Sequence, residues 1–160
     1  MKKIWLMVML FILVATLCQC KQEPSSDYMK QAELVVKEYN AAAIQAFHNN
    51  PAGYLKIYEI ARNDNNIYPD EYSSVAREDL FGLLYSNTEL WIRTFSKIDL
   101  EKFKDFVKSN GIDVSSLPEG VSNDEQFKET IFHNLEKIKG DKKEMELVDY
   151  ILGLYNKKRR

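Results

Sequence analysis

Beyond residue 20 the sequence contains no cysteine, and its only two, Cys18 and Cys20, stand one residue apart. No disulfide framework and no thiol nucleophile can therefore belong to residues 21–160. Histidine is as scarce. His48 and His133 are the only two, and the spacing offers neither an H-E-x-x-H pattern nor a paired-histidine metal motif. The six glycines are scattered at Gly53, Gly82, Gly111, Gly120, Gly140 and Gly153, so no glycine-rich loop is available to cradle phosphate. No cofactor is expected. Excess charge of either sign is also missing: 22 basic and 24 acidic residues give a net charge of -2. Without residues 1–19, which hold Lys2 and Lys3, the balance is 20 basic against 24 acidic, or -4. Nucleic acid is thereby an unsuitable partner, since phosphate binding calls for clustered Lys and Arg on one face. The one basic cluster, Lys157 to Arg160, is terminal and reads as a solvated end that complements a helix C-terminus.

Long apolar runs are absent too, with one exception. Ile4 to Ala15 is twelve residues without a charge, preceded by Lys2 and Lys3 and followed by a polar, proline-containing stretch from Lys21 to Asp27. A basic n-region before an apolar core of this length is the pattern of a signal peptide, and it is short for a helix that must cross about 30 Å of hydrocarbon.

Leu17-Cys18-Gln19-Cys20 resembles the lipobox of bacterial lipoproteins, in which a leucine stands three positions before the acceptor cysteine. Gln19 occupies a position where that family carries a small residue. The resemblance covers the first twenty residues and implies that Cys20 becomes the acylated first residue of the mature protein. It divides the chain into a signal peptide (1–19), a lipid-anchor cysteine with its tether (20–27) and a single domain (28–160). More than one acyl chain gives stable anchoring, so the expected location is the bacterial cell envelope, on a membrane and facing the periplasm or exterior.

From Tyr28 onward the apolar spacing is helical almost throughout, with a loop from Ile112 to Val121, and no segment shows the sustained alternation of a half-buried strand. The expected fold is all-α: an orthogonal helical bundle or α-hairpin stack of about six to seven helices, because short breaks keep sequential helices adjacent. The predicted stripes are Tyr28, Ala32, Val35, Tyr39, Ala43 and Ala46; Tyr54, Ile57, Tyr58 and Ala61; Tyr72, Val75, Ala76, Leu80, Leu83 and Leu84; Trp91, Phe95 and Ile98; Leu100, Phe103, Phe106 and Val107; Phe127, Ile131, Leu135 and Ile138; and Met145, Val148, Ile151, Leu152 and Tyr155. Expected start signals are Asn50 with Pro51, Ser86 with Glu89, Asp99, Ser122 with Glu125, and Asp141 with Glu144. Gly111 falls where a helix wants a left-handed C-terminal residue.

No catalytic constellation is legible. Asp64, Asn66, Asp70 and Glu71 invite a calcium reading, but Tyr68 and Pro69 occupy the fifth and sixth positions of such a loop, where a ligand and a glycine are required. No metal site is expected. The distinctive feature is tyrosine: Tyr54, Tyr58, Tyr68, Tyr72 and Tyr85, five of the nine, fall within 32 residues. Helical positions suit packing, whereas Tyr68, between an Asn-rich break and Pro69, is the candidate partner-binding residue, with Tyr72 beside it. The expected function is that of a membrane-anchored envelope lipoprotein with a helical protein-binding domain, not an enzyme. Alternatives are an immunity or inhibitor protein against an exported toxin or lytic enzyme, a structural envelope lipoprotein, and a His-dependent enzyme built on His48 or His133.

Overall fold

The computed structural model describes residues 26–64, 67–112 and 121–156. The expectations for the signal peptide, Cys18, Cys20, Asn66, Gly120 and the basic tail lie outside the described residues. Seven α-helices occupy them: α1 (Ser26–Phe47), α2 (Pro51–Arg62), α3 (Asp70–Ser86), α4 (Thr88–Phe95), α5 (Leu100–Asn110), α6 (Asp124–Glu136) and α7 (Lys142–Asn156). Among the described residues there is no strand, so the protein is all-α, as the apolar spacing predicts. The first helix opens at Ser26, two residues ahead of Tyr28. By internal packing the chain falls into two units, residues 1–33 and 34–160. Of the first, only the opening turns of α1 are described, and α2 to α7 all belong to the second.

The helix ends follow from local chemistry. Asn50 caps α2 by accepting from the Ala52 amide at 3.0 Å, with Pro51 at the first helical position. Asp99 caps α5 through the Lys102 amide at 3.3 Å, and Gly111 closes it at φ 71°. Asp141 and Glu144 open α7 as a reciprocal box: each side chain accepts from the other's amide at 3.0 Å. Two predicted caps are one residue early. α4 is capped by Asn87, which accepts from Leu90 at 3.2 Å, while the Ser86 hydroxyl donates back to the Gly82 carbonyl. α6 is capped by Asn123, which accepts from Gln126 at 2.8 Å, and the Ser122 amide donates to the Gln126 side chain. In both cases an asparagine follows the serine, and Asn caps at least as well as Ser. Asn87 also donates to the Asn49 side chain at 2.9 Å, joining the α1–α2 turn to the α3–α4 junction. Asn87→Ala should therefore cost about 1–2 kcal/mol, while Ser86→Ala changes stability little, a difference that paired denaturant titrations resolve.

The short helix α4 is the centre of the core and packs against α2, α3, α6 and α7. Trp91, Ile92 and Phe95 are fully buried on it. Phe95 stacks on Phe103 with ring centroids 4.4 Å apart, Trp91 meets both at 4.8 and 5.1 Å, and Tyr58 meets Phe103 and Phe106 at 5.1 Å. The rings therefore bind α2, α4 and α5 into one cluster, each good aromatic pair adding about 0.5–1.5 kcal/mol beyond area burial. Lys104 pairs with Glu101 and with Glu146, and the Tyr150 hydroxyl donates to the Lys104 carbonyl at 2.9 Å, fastening α5 to α7.

Most predicted stripe residues with described side chains are buried or half-buried. The exception is α3, which turns Ser73, Ala76, Leu80, Phe81 and Leu84 inward and leaves Val75 at 46% exposure. On α1, Ala42 rather than Ala43 is fully buried, because the helix meets α2 along Ala42 and Ala46.

Candidate functional site

The candidate partner residue Tyr68 sits at the exit of α2, and the chain's own chemistry puts it there. Asn63 ends α2 in the left-handed conformation, φ 47° and ψ 39°, which asparagine tolerates better than most residues. Its side chain then clamps the backbone of Tyr68 from both sides. The Asn63 amide donates to the Tyr68 carbonyl at 2.7 Å, and the Tyr68 N–H donates to the Asn63 oxygen at 2.8 Å. One side chain thus stands in for a strand partner and holds the Tyr68 backbone at the end of α2.

The tyrosine ring is half-buried and packs on the edge of the core. Its hydroxyl accepts from Lys56 at 3.2 Å and donates to Glu38 of α1 at 3.3 Å, with Glu59 at 3.5 Å. Lys56 bridges Glu38 and Glu59, both at 3.2 Å, and its ammonium lies 5.8 Å from the Tyr68 ring centre. Burial opposes the charge on Lys56, yet the hydrogen bonds to Tyr68, Glu59 and Glu38 outweigh it, so its pKa is raised. Burial raises the pKa of Tyr68, partly offset by Lys56. Because Lys56 is more basic folded than unfolded, its contribution is complete below the ordinary lysine range and is lost only in strong alkali.

Beside the ring is a pocket of about 170 Å³ bounded by Tyr58, Arg62, Asn63, Asp64, Ile67 and Tyr68. Arg62 pairs with Asp64 and lies over the Tyr58 ring at 5.4 Å, and the buried Tyr58 hydroxyl has no full hydrogen bond among the described residues. Burial raises the Tyr58 pKa, with Arg62 pulling it back. Small-molecule sites occupy roughly 300–1,000 Å³, so this pocket is smaller than the usual one. Ile67 flanks it at 51% exposure.

Tyr68 is thus not a free-standing ring but a preorganised one. Tyr72 is half-buried in the first turn of α3 and shares none of the Tyr68 hydrogen bonds among the described residues. Tyr54 and Tyr58 are core residues, and Tyr85 is half-buried and stacks on Phe127 at 5.1 Å. His48 and His133 are both exposed, on α1's exit and on α6, and no group of three metal-binding side chains occurs among the described residues. Cys20 lies outside them. Sequence reasoning missed Lys56 and Arg62, and marked Asn63 only as part of the Asn-rich break. Nothing local marks Lys56 and Glu38, 18 residues apart, as partners of Tyr68.

No protein-family model matches the chain, and no curated protein or solved structure is significantly similar to it.

Proposed function

We propose that this chain is the precursor of a lipid-anchored protein of the bacterial envelope whose helical domain binds another protein. Cys20 is its lipidation site, and Ile67 with Tyr68 forms the centre of the contact, Tyr72 lying at its margin. The observation that carries the binding assignment is the clamp on Tyr68. A large amphipathic ring already fixed by Asn63 and Lys56 loses little conformational freedom when a partner covers it, which is the property of an interface anchor. The adjoining Ile67 side chain and the small pocket add apolar contact and a recess. The lipobox-like Leu17-Cys18-Gln19-Cys20 supports the location.

Tyr68→Ala is a poor probe, because the ring also packs on the core. Photo-crosslinking in cells expressing the full chain avoids that difficulty. A photoreactive amino acid at position 67 should give a discrete adduct with another protein, while the same amino acid at Lys139, an exposed site on the chain after α6, should not. Identical patterns from the two positions, or no adduct from position 67, would remove the binding assignment.

A further inference from the structure

We infer that the outward face of α1 rests on the surface of a lipid bilayer. Leu34, Lys37, Ala41 and Ile44 recur at steps of three and four, so they share one side of the helix, and all four are exposed. His48 continues the row, its amide still bonded to the Ile44 carbonyl at 3.1 Å. Beside it Phe47 is 82% exposed, with Leu34 at 63% and Ile44 at 61%. The inward side of the same helix is already satisfied, since Val35, Ala42 and Ala46 are buried. Three large apolar side chains therefore stand on the solvent side of one helix.

The charges along this stretch point to the occupant. From Leu34 to Phe47 the only charged residues are Lys37 and Glu38. Glu38 is turned to Lys56 at 3.2 Å, while Lys37 has no ion-pair partner among the described residues. The outward row is therefore apolar with a single cation, and a lysine can lay its stem along apolar surface while its ammonium reaches a phosphate. A second copy of the chain fits less well. Stable protein interfaces take roughly 20–30 residues a side, and this row offers about a quarter of that.

A bilayer needs less, given the anchor proposed above, on which this inference rests. Cys20 precedes Leu34 by fourteen residues, and five residues, Lys21 to Ser25, separate it from α1. At about 3.6 Å per extended residue and 1.5 Å per helical one, no part of α1 can lie beyond roughly 50 Å from the acyl chains. Contact with the membrane is then intramolecular, so a small patch suffices to orient the domain.

The test uses the acylated full-length protein in vesicles of phosphatidylethanolamine and phosphatidylglycerol, with an environment-sensitive fluorescent amino acid at position 44, 47 or 139. Lipids carrying a spin label in the acyl chain should quench positions 44 and 47 several-fold more than position 139, and Lys37→Glu should reduce that difference. Equal quenching at all three positions in protein that floats with the vesicles would overturn the docking while leaving the anchor intact. Protein that does not float would overturn the anchor and the docking together. Protection of position 44 that grows with the protein-to-lipid ratio, without lipid quenching, would assign the face to a second copy instead.

Discussion

Gly53→Ala should destabilise the protein, whereas the same substitution at Gly82 or Gly153 should stabilise it. All three glycines lie inside helices, where replacing glycine by alanine is worth about 1 kcal/mol in favour of folding. At Gly82 and Gly153 a methyl group would meet nothing within 4 Å, so that gain should appear in full. At Gly53 it would stand 2.6 Å from the Ala42 carbonyl oxygen and closer still to the Ala46 amide nitrogen. Both are backbone atoms of α1 and cannot swing aside as a side-chain tip would. Overpacking of this kind typically costs about 1–3 kcal/mol, enough to cancel the propensity gain and reverse its sign. Gly53→Val, with two further methyl groups in the same gap, should be worse. Thermal melts of the three alanine variants check the claim, at about 2–4 °C per kcal/mol for a chain of this size.

Trp91→Ala should be the most damaging single truncation. The indole is fully buried at the centre of α4, touches Phe95 and Phe103, and donates from Nε1 to the Leu80 carbonyl at 2.9 Å. Removing it leaves a large cavity, at a cost of about 3–5 kcal/mol, and takes from the Leu80 carbonyl the bond it accepts in addition to its helical one. With the usual total stability of about 5–15 kcal/mol, loss of cooperative folding at 37 °C is the expected result. Trp91→Phe keeps most of the volume and should fall well short of that. A Trp91→Ala variant with a near-parental denaturant midpoint would mean that α4 is not the centre of the core.

The helices were legible because their signals are local. Apolar spacing of three and four, Asn50 with Pro51, Asp99, and Asp141 with Glu144 each act within one or two turns, and the structure has them where the sequence places them. The two shifted caps show where local reading loses resolution: Ser86 and Asn87, like Ser122 and Asn123, are adjacent competitors with similar intrinsic preference. The rotation of α3 was not legible, since burying Phe81 in place of Val75 depends on what α3 meets, not on its own periodicity. The same holds for the site. Tyr68 could be singled out from its loop, but the Lys56–Glu38 pair that holds its hydroxyl is assembled by α1 and α2 coming together, and no spacing in the sequence announces it.

Anchoring through Cys20 is tested most directly by the intact mass of the protein extracted from membranes of an expressing bacterium. A mature chain beginning at Cys20 and carrying acyl chains is expected, and Cys20→Ser should lose both the added mass and the membrane association. A mature form with an unmodified N-terminus elsewhere, or a Cys20→Ser protein of parental acylation and fractionation, would contradict it.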